Sequence, residues 1–193
     1  MSGNIKLPMG IEDFERIRQD GFYYVDKTGL IRDLLENIAY VNLFTRPRRF
    51  GKTLNMCMVE QFFSLDYAGR SDLFTGLSIW KEETYRNLQG TYPVLFVSFA
   101  DVKEDTFSQM RATICQIIED TYSHFRFLLK GDLLSENEKK AFEAVSPDME
   151  NSQAGFSLKR LSSYLSRYYG KKVIILLDEY DTPMQEAYVK GYW

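Results

Sequence analysis

Between Tyr40 and Thr53 the chain reads YVNLFTRPRRFGKT, an apolar run that stops at an arginine-rich turn and then at Gly51, Lys52 and Thr53. This pattern fits a strand feeding a loop that opens a helix. Such a loop turns successive backbone N–H groups inward, and with the positive end of the following helix they form a nest for phosphate oxygens. Lys52 would place a point charge at the β- and γ-phosphates, while the Thr53 hydroxyl would ligate Mg2+. The match to GxxxxGK[ST] is incomplete, because the first glycine position, five residues before Gly51, holds Arg46. A glycine there takes a backbone conformation that side chains disfavour. Taken alone, Gly-Lys-Thr also fits an ordinary helix-capping turn.

A second stretch complements the first. Val173-Ile174-Ile175-Leu176-Leu177 is a continuous apolar run that ends in Asp178 and Glu179. A strand buried on both faces of a parallel sheet has this pattern when it delivers acids at its C-terminal edge, where ligands of doubly wound sheets bind. Asp178 is then placed to hold Mg2+ through its hydration shell, and Glu179 to orient or deprotonate an attacking water. The competing reading is a buried strand whose acids cap the next helix. The two stretches in this order favour a triphosphate held between the tips of neighbouring strands.

The elements that must carry these residues are legible in outline. Asp20-Gly21 reads as a turn before Phe22-Tyr23-Tyr24-Val25, a short strand or packed arm, and core packing suits these aromatics better than stacking on a base. Asp26 or Thr28 can cap a helix with apolar positions Leu30, Ile31, Leu34, Leu35 and Ile38. After Thr53, the spacing of Leu54, Met58, Val59, Phe62 and Phe63 gives an amphipathic helix. Residues 70–91 form an irregular helical insertion that buries Leu73, Phe74, Leu77, Ile79 and Trp80. Pro93 to Phe99 is a second buried strand, with Asp101 a weak site candidate beyond it. A long helix runs from about Asp105 to Leu128, residues 132–155 are a lid or mobile excursion, and a helix from Phe156 to Tyr168 ends at Gly170. The central strands starting at Tyr40, Pro93 and Val173 would share one sheet.

Bulk properties narrow the classes. The chain has 193 residues, 45% apolar and 26% charged, an ordinary globular composition in which one domain spanning 1–193 is expected. A net charge of -3 gives no reason to expect a nucleic-acid surface over the whole chain; the local cluster Arg46, Arg48, Arg49 and Lys52 suits nucleotide phosphate better. No secretory signal or membrane span is apparent, and Cys57 and Cys115 read as reduced core thiols of a cytoplasmic protein. The single histidine, His124, gives little support to a catalytic triad or a histidine metal site.

Five segments, LPMGIEDFERIR, YYVDKTGLI, LFTRPRRFGKT, YPVLFVSFADVKED and VIILLDEYDTP, together resemble the predicted AAA-ATPase-like family across essentially the whole chain. In that family an arginine in place of the first phosphate-loop glycine is usual, and the domain usually precedes a PD-(D/E)XK nuclease-like domain. The resemblance implies an α/β fold with a P-loop NTPase-type parallel sheet flanked by helices, here incomplete, with its C-terminal strands missing after the Walker B strand. It implies ATP and Mg2+ as cofactors. The cofactor-binding stretch would be Arg48, Arg49, Phe50, Gly51, Lys52, Thr53 and Leu54, with Thr53 and Asp178 on the metal and Lys52 and Glu179 catalytic. Arg48 and Arg49 either brace the γ-phosphate or project from the loop, and Asp181 is expected to cap a helix.

The leading function is therefore an ATP-binding P-loop module, with Mg2+-dependent hydrolysis in the complete protein. Hydrolysis by this chain should be slow, because the strands carrying a γ-phosphate sensor and arginine finger are not in it. Two alternatives stand beside it: a nucleotide-responsive scaffold without turnover that gates a nuclease-like partner domain, and a phosphotransferase acting on a small molecule or nucleic-acid end.

Overall fold

The computed structural model describes residues 6–37, 39–45, 47 and 50–193. The chain divides into two compact units, Met1–Tyr92 and Pro93–Trp193, each with its own core.

The first unit is helical. Its elements are α1 (Phe14–Gln19), α2 (Gly29–Glu36), α3 (Lys52–Phe63) and α4 (Glu83–Arg86), with 3₁₀ turns at Leu65–Tyr67, Ser71–Leu73 and Ser78–Lys81. Asp13 starts α1: its carboxylate accepts the Glu15 N–H at 2.9 Å, satisfying a donor that the first helical turn leaves open. The stripe anticipated on α3 is buried at Met58, Val59, Phe62 and Phe63. Phe14 and Ile17 of α1, Ile31 of α2, and Leu73 and Phe74 of the insertion are buried in the same unit. The Phe74 ring lies 5.3 Å from Phe14 and 5.1 Å from Phe62, an aromatic junction that joins the three segments.

Thr28 does not cap α2 as its sequence position suggests. It stands at the N-cap position but its hydroxyl makes no cap hydrogen bond. Instead the buried Thr28 hydroxyl donates to Asp26 Oδ1 at 2.6 Å and accepts from the Ile79 N–H at 3.2 Å. The Asp26 carboxylate also accepts from the Ser78 N–H at 2.7 Å. Burial alone would raise the Asp26 pKa, but these hydrogen bonds from Thr28 and Ser78 outweigh it and hold the carboxyl below its ordinary value. Asp26 and Thr28 thus moor the 70–91 insertion.

Segment 90–92 returns along the end of α3. The Gly90 N–H donates to Phe62 O at 2.8 Å and the Tyr92 N–H to Phe63 O at 2.8 Å. Gly90 has φ +66, and a Cβ added there would come within 2.5 Å of the Ala68 Cα.

The second unit is an α/β layer. It contains β1 (Val94–Ser98), α5 (Phe107–His124), a 3₁₀ turn at Arg126–Leu129, α6 (Glu136–Glu143), α7 (Asn151–Tyr169), β2 (Ile174–Asp178) and α8 (Thr182–Lys190). β1 and β2 pair in parallel from Val94↔Ile174 to Ser98↔Asp178, and they make the two-stranded sheet of the described residues. A parallel pair needs a long crossover, and α5 to α7 supply it. Leu95, Cys115, Ile118, Tyr122, Leu161 and Leu165 lie at the centre of the core.

Three expectations change here. Residues 41–45 carry no regular strand, and Val41 and Leu43 are exposed. An apolar run states a preference for burial but does not supply the neighbouring strand its ladder requires. β2 is not buried on both faces, because Ile175 and Leu177 are each 42% exposed. Segment 132–155 is no mobile excursion: Leu134, Phe142 and Met149 are buried in the core of the second unit. α6 is closed by a capping box in which Ser135 and Glu138 exchange hydrogen bonds.

Candidate functional site

The phosphate-loop residues lie at the start of α3. Gly51 is the N-cap, with φ +71, a left-handed conformation that favours glycine. Its carbonyl accepts the Asn55 N–H at 3.0 Å, so the helix begins at once with Lys52, Thr53 and Leu54. No side chain caps this end, and a Cβ placed on Gly51 would meet nothing within 4 Å. The glycine is therefore required by conformation and not by crowding. A helix that starts in this way leaves its first backbone N–H groups without intrahelical partners and places the positive end of its dipole there. Lys52, Thr53 and Leu54 are half-buried, and Phe50 is exposed. Arg46, Arg48 and Arg49 lie outside the described residues.

The acid pair lies at the C-terminal end of β2. Asp178 is 3% exposed, sits opposite Ser98 in the register, and its carbonyl accepts the Phe99 N–H at 3.0 Å. Glu179 follows with φ +49, the one non-glycine residue among those described with positive φ. A glutamate in this region is uncommon, and such conformations concentrate at functional turns. The turn is fastened by the Thr182 N–H on Glu179 O at 3.0 Å, while the Thr182 hydroxyl stands 3.5 Å from Glu179 Oε2. Asp181 occupies the N-cap position of α8 but does not cap it through its side chain; its carboxylate accepts the Gln185 amide one turn on. Gly51, Lys52, Thr53 and Leu54 are thus grouped in the first unit, and Asp178 and Glu179 in the second.

The oxygen donors of Thr53 and Asp178 suit Mg2+, a hard cation that takes one or two carboxylates and completes its shell with water and substrate phosphates. Among the described residues no group of three or more His, Cys, Asp or Glu converges into an all-protein metal cage. The weaker candidates stay apart from chemistry: Asp101 and His124 are exposed, and Cys115 is a buried free thiol. Burial, with Asp13 nearby, pushes the Cys57 thiol up to about 11, which keeps it protonated.

One titrating cluster was not anticipated. Glu60, on α3, has its pKa pushed up to about 7, first by burial and then by the charges of Asp66 and Asp13. The buried Gln61 beside it donates to Asp13 Oδ1 at 3.3 Å and to Cys57 Sγ at 3.2 Å. The helical spacing of α3 placed Glu60 beside an apolar stripe, but only the packing of α1 across α3 brings Asp13 to it.

Among the described residues, no helix is long and apolar enough to cross a membrane. The sequence model of a family described as predicted AAA-ATPase matches residues 8–192. An uncharacterized protein in the vnfD 5′ region of Azotobacter chroococcum mcd 1 is 31% identical over 183 residues. That match covers 93% of this chain and 30% of the relative, so the chain spans less than a third of the length of the protein it resembles. No solved structure matches it. With a family match over nearly its whole length, the chain belongs to the predicted AAA-ATPase family.

Proposed function

We propose that the chain is the ATP-binding part of a P-loop NTPase, its two compact units being portions of one ATPase domain. The observation that carries this reading is the N-terminus of α3, which a left-handed glycine at the N-cap starts and which opens directly with Lys52 and Thr53. Family membership points the same way, toward a nucleotide-binding protein. In this reading the N–H groups of Gly51, Lys52, Thr53 and Leu54 cradle phosphate oxygens. Lys52 neutralises charge on the β- and γ-phosphates, and Phe50 borders the nucleotide. The Thr53 hydroxyl and the Asp178 carboxylate are each oxygen donors that would serve Mg2+, and the ion would offset charge on the triphosphate. Glu179 orients and deprotonates the attacking water, its carboxylate held by the turn that Thr182 fastens.

The test is fluorescent-ATP binding together with Mg2+-dependent phosphate release, on this chain and two variants. Lys52→Ala should weaken ATP binding by at least about tenfold, since it removes a charge-assisted phosphate contact. Glu179→Gln should retain binding and lower whatever turnover the wild type shows by about 10²–10⁴-fold, the usual worth of a general base. Wild-type affinity in Lys52→Ala would defeat the ATP reading. Binding with no turnover in this chain would support the ATP-binding reading and leave hydrolysis to the complete protein.

A further inference from the structure

The net charge of -3 conceals a strong local asymmetry. From Asn151 to Leu177 there is no Asp or Glu, while Lys159, Arg160, Arg167, Lys171 and Lys172 supply five cations. This stretch is α7 and the connection into β2. On a helix, residues three and four apart share a face, so Phe156, Arg160, Ser163 and Arg167 form one stripe, flanked by Lys159, Ser162 and Ser166. The opposite face, with Leu161 and Leu165, is fully buried, so packing fixes which way the stripe points.

A concave surface lies along one side of the stripe and shares Ser163 and Arg167 with it. An open groove of about 430 Å³ is lined by Lys159, Ser162, Ser163, Ser166, Arg167 and Lys172, lying wholly within the second unit. Arg167 is held in place: its guanidinium donates to Glu138 Oε1 at 2.8 Å and lies 5.3 Å from the Tyr164 ring centre. A guanidinium has five N–H donors, so this contact fixes its plane and leaves others for a ligand. Hydroxyls and cations together are the donor set that contacts phosphate and sugar in nucleic-acid interfaces. Lys159 and Arg167 are separated by about 12 Å along the helix. A strand has a phosphate every ~3.4 Å of axis, so the groove reaches more than one nucleotide. Phe156, 55% exposed at the entrance to the stripe, presents a face on which a base can stack.

We propose that this groove of α7 binds the phosphodiester backbone of single-stranded nucleic acid, separately from the phosphate loop at Gly51. The binding is electrostatic and sequence-tolerant, and it falls steeply with salt. The exposed positions of Lys159 and Lys172 allow both to be changed without disturbing the core.

The test is fluorescence anisotropy of a labelled oligothymidylate of about 15 nucleotides with the full chain across a salt series. Lys159→Glu/Lys172→Glu should weaken binding at least about tenfold and reduce the log–log salt slope by about two, one per phosphate contact. Lys81→Glu/Lys103→Glu makes the same change in net charge at exposed positions elsewhere and should stay within about threefold of wild type. Lys52→Ala should leave oligonucleotide binding unchanged, so this test stands or falls apart from the ATP reading. Equal losses in the two double variants would overturn the proposal, as would loss in Lys52→Ala or no wild-type binding at low salt. It would equally be overturned if inorganic phosphate competed as well as the oligonucleotide did per phosphate. Preference for phosphatidylserine vesicles over the oligonucleotide would assign the groove to a membrane surface instead.

Discussion

Glu60 couples the first unit to pH. Its carboxyl titrates near 7 in the folded chain because burial, then Asp66 and Asp13, disfavour the anion; an unfolded glutamate titrates at about 4.3. The folded state therefore binds the proton more tightly, and stability falls as pH rises from about 4.3 through about 7. At pH 8 the charged carboxylate costs on the order of 3–4 kcal/mol. Glu60→Gln should therefore raise Tm at pH 8 and leave it near wild type at pH 5, as measured by thermal melts across that range. A variant that melts in parallel with wild type at every pH would show that Glu60 is not the responsible group. Asp66 lies close in sequence, but neither the burial of Glu60 nor the approach of Asp13, 47 residues away, is announced there. The helix start at Gly51, Lys52 and Thr53 and the strand end at Asp178 were legible because both are set by neighbours in sequence. Glu179's left-handed backbone was not, because sequence gives no warning of a positive φ at a glutamate.

At the scale of elements, legibility followed the range of the interactions. The stripe of α3 and the strands β1 and β2 could be read because each is encoded in a local period. The mooring of the insertion by Thr28 was hidden, since its partners at Ser78 and Ile79 lie about fifty residues downstream. The strand expected from Tyr40 failed for the related reason that pairing is a property of two segments. α6 read as an excursion because its sequence is polar, yet the few apolar side chains of segment 132–155 are the ones buried. The junction of α3 with segment 90–92 is the tightest of these non-local contacts. Gly90→Ala would drive a methyl against the Ala68 backbone from a left-handed conformation. The expected loss is about 2–4 kcal/mol, from overpacking and backbone strain together. Trp80, stacked on Phe74 at 6.2 Å, reports the loss through a lower denaturation midpoint by fluorescence. An unchanged midpoint would mean that segment 90–92 moves away freely.

For the molecule as a whole, average properties and local ones carry different information. A net charge of -3 argued against polyanions, but an average says nothing about an acid-free stretch of α7. Membership of the predicted AAA-ATPase family fixes the company this chain keeps, while its relative carries more than twice as much sequence again beyond the matched part. The half-bare outer side of β2 bears on how the protein behaves in bulk. Ile175 and Leu177 stand next to each other on that side, on a sheet whose described part is two strands wide. Such a surface makes molecules attract one another as they are concentrated, more so when salt screens their charge. Static light scattering should give a negative osmotic second virial coefficient for the wild type at moderate salt. Ile175→Lys, which sets a charge amid the apolar pair, should move it toward positive values and extend the concentration range over which the protein stays dispersed.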